Sequence, residues 1–397
     1  MELIVNNSIK NTYIPKLRFK EFLNEKILLK KLDEIFILKN GYTPSKKNKL
    51  FWTNGNIPWF RIDDIRTNGQ ILSDSLLRTT TFAIKKNGLF KKNSVILSTT
   101  ATVGLHAFIK KDFICNQQLT SFQIKDIWKK KINSLFVFYY FYRISNWCKK
   151  NIRSASFPVI EIKDLKKQNF WFCNINEQNK IITFFSLLDQ QISLLENKLQ
   201  LIEQIIKYLL SFKLSYTNKK ISDEFYLFDG FPFKSTDYDD NGEKEILTIK
   251  NIGVNKLELK KINKTNKIIE DKYEINKNEI ICSLTGAAGF KFSLSDSNYY
   301  FNQRTLKIIP KKNDFHQILM LLLLFRKNKD FISNLATGSQ QNISKKDIKN
   351  LNFLKNDSRN IFIARILSKI DKYVNLLISL KELKIKRKNY YLKKIFL

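Results

Sequence analysis

The sequence predicts an α+β fold arranged as a pseudo-twofold tandem repeat, with two mixed α/β globular units that are each followed by a long helix. Three observations lead to it. An ordered set of short sequence echoes recurs at a spacing of 182–186 residues. Two long stretches carry apolar residues at helical spacing. A chain of 397 residues, 43% hydrophobic and 13% aromatic, is long enough for two domains with separate cores. The 32 phenylalanines should dominate those cores.

The globular units are residues 1–175 and 217–355. In the first, Phe90–Thr99 reads as a polar turn feeding a β-branched apolar strand, and Ile275–Leu284 is its echo. Each strand runs into a loop of small residues, Thr99–Gly104 or Leu284–Gly289. Backbone N–H groups in such a loop can cradle a phosphate. A tight turn between strands is the simpler reading and the one preferred. Asn116-Gln117-Gln118 is echoed by Asn302-Gln303-Arg304, each ahead of a short strand, Thr120–Ile124 or Leu306–Ile309. The apolar runs Leu135–Tyr142 and Ile318–Phe325 read as buried helices. Both fall well short of the roughly 20 residues a membrane-spanning helix needs. Ile162–Lys166 is echoed by Lys345–Lys349.

The long helices are placed at residues 176–216 and 356–397. In the first, Ile181, Leu188, Leu195, Ile202 and Leu209 fall at strict seven-residue intervals. Phe184, Ile205 and Phe212 add a second row, and Phe185, Ile192, Leu199 and Ile206 widen the stripe. In the second, Ile363, Ile370 and Leu377 match Ile181, Leu188 and Leu195 in register, and Asp371 matches Asp189. Asn176 is the expected N-cap of the first helix. The last third of the second helix, Lys381 to Lys394, is heavily basic.

Lys and Arg total 70 against 36 Asp and Glu, a formal net charge of +34. That excess attracts polyanions over long range, with nucleic acid the first candidate partner and an anionic membrane surface the second. The Lys-, Asn- and Ile-rich composition also fits an AT-rich coding bias, which supplies lysine without any ligand. Cys115, Cys148, Cys173 and Cys282 form no Cys-x-x-Cys pair, and His106 and His316 lie far apart, so no zinc ligand set is visible. Isolated buried thiols in a reducing cytoplasm are expected. No apolar leader stands at the N-terminus, and a soluble protein is expected.

Motifs for chemistry are missing. There is no Pro-Pro dipeptide for an amino-methyltransferase site, no Gly-x-Gly cofactor loop and no Walker loop. Glu161-Ile162-Lys163 has the Glu-x-Lys form of a metal-dependent nuclease, but no Pro-Asp precedes it. Glu258-Leu259-Lys260 and Glu382-Leu383-Lys384 show how readily the pattern arises in this chain. Two histidines and no nucleophile elbow disfavour a Ser-His-Asp hydrolase.

The order of features resembles the specificity subunits of Type I restriction-modification systems over nearly the whole chain. The residues that carry the resemblance are Pro15-Lys16-Leu17-Arg18-Phe19, the strand-loop echoes, and Gly338-Ser339-Gln340-Gln341-Asn342-Ile343 leading into Lys345–Lys349. With them stand Asn176-Glu177-Gln178-Asn179-Lys180-Ile181-Ile182 and Leu188-Asp189-Gln190-Gln191-Ile192. Two segments depart from the family pattern. Ser154-Ala155-Ser156-Phe157-Pro158 replaces the Gly-Ser-x-Gln form in the first half, and the second helix opens Asn356-Asp357-Ser358-Arg359 without a Glu-Gln pair.

The resemblance implies two target-recognition domains and two spacer helices packed as an antiparallel coiled coil, with Ile181, Leu188, Leu195 and Ile202 facing Ile363, Ile370 and Leu377. It implies a non-catalytic, cytoplasmic subunit that reads a bipartite, asymmetric double-stranded DNA site. Its partners would be two modification subunits and the restriction subunits, which hold S-adenosylmethionine, ATP and Mg, and no membrane is involved. Candidate DNA contacts are Lys46, Lys47, Arg61, Arg66 and Arg78, around Trp52 and Trp59, and Lys234, Ser235, Lys250, Asn251 and Lys256. The alternative is a basic coiled-coil protein that binds nucleic acid or membranes without sequence choice.

Overall fold

The computed structural model describes residues 3–5, 15–85, 88–154, 158–253, 256–284, 290–312, 314–336 and 342–396. The chain divides into two compact units, Met1–Leu194 with Lys381–Leu397, and Leu195–Leu380. The division runs through both long helices rather than at their ends.

In the first unit a five-stranded sheet is ordered Phe36–Asn40, Leu119–Ile124, Ser94–Ser98, His106–Ile109, Ile71–Leu72. Its last pair is parallel and the others antiparallel. A smaller sheet joins Ile114–Cys115, Ile57–Phe60 and Arg78–Thr79, the first pair parallel. Val95, Ile96 and Leu97 are buried on both faces, which explains the unbroken apolar run. Helix Ser134–Lys150 is capped by the Asn133 side chain, which accepts from Leu135 N. It packs on the larger sheet through Phe138, against Phe108, and Phe141, against Phe36 and Phe122.

The second unit repeats the plan. One sheet is ordered Phe225–Asp229, Thr305–Pro310, Ile280–Ser283, Phe292–Leu294. The other is ordered Asn263–Thr265, Lys244–Leu247, Tyr299–Phe301, Glu274–Ile275, its central pair parallel. Helix Phe315–Lys327 is capped by Asp314. Here leucines such as Leu319, Leu321, Leu323 and Leu324 join Phe225, Phe290, Phe292, Phe325 and Phe353, so phenylalanine dominates the first unit more than the second.

The Asn-Gln echoes are structural. Asn116 Oδ1 accepts from Gln118 N and Asn302 Oδ1 from Arg304 N, both at 3.3 Å. A Cβ on Gly41 would lie 2.1 Å from Asn116 O, and one on Gly230 2.1 Å from Asn302 O. Each turn therefore closes on a glycine because only a glycine leaves room.

The long helices are Ile175–Ser211 and Ser358–Phe396, of 37 and 39 residues. The first ends sooner than its apolar pattern suggests, and Tyr216–Lys220 forms a strand beside Asn352–Leu354. Its cap is Asn174, not Asn176. Asn174 Oδ1 accepts from Glu177 N at 2.9 Å, and Gln178 N closes the first turn on Asn174 O. Asp357 does the same for the second helix, accepting from Asn360 N at 2.8 Å, a bond that also holds its carboxyl below the usual range.

The resemblance-bearing motifs at either end of the first globular region meet. Arg18 Nε and a terminal nitrogen donate to the Glu177 carboxylate at 2.9 and 2.6 Å, and both side chains are buried. Gln178 Nε2 donates to Lys131 O and Cys173 O. In the second helix Asn360 replaces Gln178 and donates to Ser215 O and Lys355 O. The second opening keeps the bond to the carbonyl five residues earlier and takes its other acceptor from a different place.

Within the first unit the start of one long helix lies against the end of the other. Phe184 meets Tyr391 edge-on at 4.9 Å, Asp189 pairs with Lys388 at 2.5 Å, and Phe396 stacks on Phe185 and Trp171. In the second unit Ile206, Leu209 and Leu210 share a core with Ile363, Leu367 and Ile370. The helices run antiparallel in each. Ile181, Leu188, Leu195, Ile363 and Leu377 are buried, and Ile202 and Ile370 half-buried. Ile205 and Phe212, expected in the stripe, are exposed.

Candidate nucleic-acid interface

In the first unit the predicted cations surround an aromatic support. Trp52 and Trp59 meet edge-on at 5.0 Å. Trp52 Nε1 donates to Ser45 O and Trp59 Nε1 to Tyr42 O, which fixes the loop carrying Lys46 and Lys47. Both lysines are exposed. Arg61 precedes helix Ile62–Asn68; its guanidinium lies 5.5 Å from the Trp59 ring centre and 3.7 Å from Asp63. Arg66, in the last turn of that helix, is exposed and donates to Thr102 Oγ1 at 2.9 Å. Arg78 is exposed but engaged by the Asp74 carboxylate.

In the second unit Lys234 and Ser235 stand exposed at the turn Ser235–Asp237. Lys250 and Lys256 are exposed as well. Asn251 is a correction. It is 2% exposed, its Oδ1 accepts from Thr248 N and Oγ1, and its Nδ2 donates to Glu258 O and Lys261 O. An amide with every group engaged inside the fold has nothing left to offer a base. Its residue type suggested a reader, and its place in a tight turn makes it a staple.

The Thr99–Gly104 loop is a turn. Its Thr99, Ala101 and Gly104 amides donate to Gln118 O, Pro158 O and Ser98 O, so none of the three faces a ligand. Gly104 has φ +88° and lies against Ser145 O, where a side chain would collide. The residues 285–289, 155–157 and 338–341, which hold the second loop and most of the Gly-Ser-x-Gln comparison, lie outside the described residues.

Glu161 sits before helix Ile162–Lys166, 3.8 Å from Arg153, and the neighbouring Asp164 is bound to the same arginine. No group of three His, Cys, Asp or Glu side chains that could hold a metal occurs among the described residues. His106 is fully buried among Phe138, Phe141 and Tyr142, and burial pushes it down to about 3. No helix among the described residues is long and apolar enough to cross a membrane.

All four cysteines are buried, and burial raises each thiol, Cys148 to about 12. Little reactive thiolate therefore exists near neutral pH. Titration with an aromatic disulfide at pH 8 should label none of them in the native chain and all of them in denaturant.

One surface feature escaped the sequence reading. Leu187, Leu194, Leu201 and Tyr208 form an exposed row at seven-residue intervals along the first long helix. Leu376, Leu383 and Tyr390 form another along the second, each 182 residues beyond Leu194, Leu201 and Tyr208. The same heptad count that marks the buried stripe would have found both.

A family model described as the Type I restriction modification DNA specificity domain matches the chain twice, over residues 24–204 and 214–387. The chain belongs to this specificity family. Its repeat is thus a repeat of the family domain, with each match taking in a globular region and most of the long helix after it. Among curated relatives, the Type I restriction enzyme EcoprrI specificity subunit of Escherichia coli is 44% identical over 136 residues, 34% of each chain. The MjaIX specificity subunit of Methanocaldococcus jannaschii is 29% identical over 225 residues, 55% of this chain and 48% of that one. The alignments thus span a third to a half of these relatives. The crystal structure of the Type I restriction-modification S subunit from M. genitalium has the same fold. It superposes with a TM-score of 0.65 at 15% identity, over 97% of this chain and 99% of that one. A chain from a structural study of complex assembly and conformational transition in the Type I system gives 0.54 at 12% identity, over 93% and 97%.

Proposed function

We propose that this chain is the DNA-reading subunit of a Type I restriction-modification assembly and performs no chemistry itself. The observation that carries the proposal is the double match to the specificity domain, laid over two globular regions of like topology and unlike surface. Each region reads one half-site, and because their exposed residues differ, the half-sites differ. A helix of 37 or 39 residues is roughly 55 Å long at about 1.5 Å per residue. That length corresponds to about 16 base pairs at ~3.4 Å each, so the long helices set an unread gap.

The net charge of +34 supplies the sequence-independent attraction to phosphates. Lys46, Lys47, Arg61, Arg66, Lys234, Lys250 and Lys256 lie on exposed or half-buried surface where they serve it. The exposed leucine-tyrosine rows dock the modification subunits. The methyl donor, ATP and Mg belong to the modification and restriction subunits, and the complex works in the cytoplasm.

Selection from a random duplex pool at moderate salt, with unrelated competitor DNA present, tests this directly. The intact chain should enrich a bipartite motif with two different halves. Retention without any enriched motif would instead support a basic, sequence-blind binder.

A further inference from the structure

We infer that Phe82 and Ile268 are the apolar residues with which the two units read bases, which rests on the DNA-reading function proposed above. The two side chains occupy equivalent places. In each unit an edge strand ends in a buried threonine, Thr79 in Arg78–Thr79 of the three-stranded sheet and Thr265 in Asn263–Thr265 of the sheet built on Lys244–Leu247 and Tyr299–Phe301. Each threonine sits opposite the first residue of the neighbouring strand, Ile57 or Lys244. A glycine lies against that strand's backbone in both: a Cβ on Gly55 would come within 2.7 Å of Thr79, and one on Gly242 within 2.5 Å of Thr265.

A threonine hydroxyl ties each strand end to a second turn, from the residue after the strand in the first unit and from the strand-end threonine itself in the second. Thr80 Oγ1 donates to Leu50 O at 2.6 Å, and Thr265 Oγ1 donates to Asp237 O at 2.6 Å. Three residues past the strand-end threonine stands an apolar side chain aimed at solvent. Phe82 is 71% exposed and Ile268 is 91% exposed.

The strand-end pairing and its glycine are thus repeated, while the hydroxyl that fastens them and what they display differ. The first tip adds Leu50, 66% exposed, and the second adds the pair of Asp237 with Lys267 at 2.9 Å. A repeated support that presents different residues is what two readers of unlike half-sites require.

The surroundings of the first tip select DNA as the occupant, and the second is assigned by its equivalent place. Residues 35–62 and 75–111, which form the first tip and its supports, contain no Asp or Glu, and Lys46, Lys47, Lys49 and Lys85 are exposed around it. Lys234 and Lys267 flank the second, where Lys267 is paired with Asp237 and the exposed Asp239, Asp240 and Glu270 lie in the same segments. Cations suited to phosphates around an apolar point suit a side chain that reaches base surfaces, such as thymine methyl groups, between backbone contacts.

The test is duplex selection from a random pool with the full-length chain and with Phe82→Ser and Ile268→Ser. Phe82→Ser should lower base preference at one or two positions of one half-site by roughly 10-fold and leave the other half unchanged. Ile268→Ser should do the same to the other half only. The retained half-site reports that each variant is folded. Motifs unchanged in both variants, or a uniform loss of affinity without a change in motif, would overturn the assignment. If the unaltered chain enriches no motif, the DNA-reading function fails and this inference fails with it.

Discussion

Replacing Glu177 by Gln is expected to destabilise the first unit by about 3–5 kcal/mol, because it leaves the buried Arg18 guanidinium without its counter-charge. The two side chains are 3% and 2% exposed and joined by two charge-assisted bonds. Arg18 keeps its bonds to Leu23 O and Glu25 O, at 3.3 and 3.0 Å, but these neutral acceptors do not balance the charge. Arg18→Met should cost a similar amount by stranding the carboxylate. The double variant Arg18→Met with Glu177→Met should recover much of the loss, since an apolar pair of like volume avoids both desolvation penalties. All five tryptophans lie in the first unit, so their fluorescence during denaturant unfolding follows that unit alone. Single variants that unfold at the same midpoint as the unaltered chain would show that this pair does not fasten the helix.

Leu201→Asp with Leu383→Asp is expected to abolish co-assembly with modification subunits while leaving folding and DNA retention intact. The two leucines are 58% and 60% exposed, so their replacement removes no core contact, and a stability change within about 0.5 kcal/mol is expected. In an interface they would be central apolar anchors, each worth about 2 kcal/mol or more, and a buried aspartate adds desolvation. The combined effect is a weakening on the order of 1,000-fold, read by size-exclusion chromatography of the mixed subunits. An undiminished complex would place the docking surface elsewhere on the chain.

The parts of the fold legible in the sequence were those in which one local rule decides the outcome. The run Val95-Ile96-Leu97 has β-branched, apolar residues that fit a strand buried on both faces, and its echo at Ile280-Ile281-Cys282 fits likewise. Heptad spacing gave Ile181, Leu188 and Ile363 as buried positions. Other features depended on partners distant in sequence. The cap fell at Asn174 because Gln178 is drawn into bonds with Lys131 O and Cys173 O, which fixes where the helix begins. Ile205 and Phe212 are apolar in type yet exposed, since helical spacing does not reveal how wide a face is covered.

The candidate site was less legible for a related reason. Polar residue types signal surface, but Asn251 is polar because a turn needs its four hydrogen bonds. Phe82 and Ile268 are apolar types that stand in solvent, and only the Thr80 and Thr265 hydroxyl bonds reveal the tips that carry them. The basic end of the second helix hid Leu392, Ile395 and Phe396, which pack into the first unit's core between outward lysines.

The division of labour between reading units and measuring helices meets its most direct test in a chain with one added heptad in each long helix. Seven residues add about 10 Å at ~1.5 Å per residue and keep the apolar stripe in phase. Duplex selection should return the same two half-sites with a gap lengthened by about 3 base pairs at ~3.4 Å each. Altered half-sites separated by an unchanged gap would contradict the account.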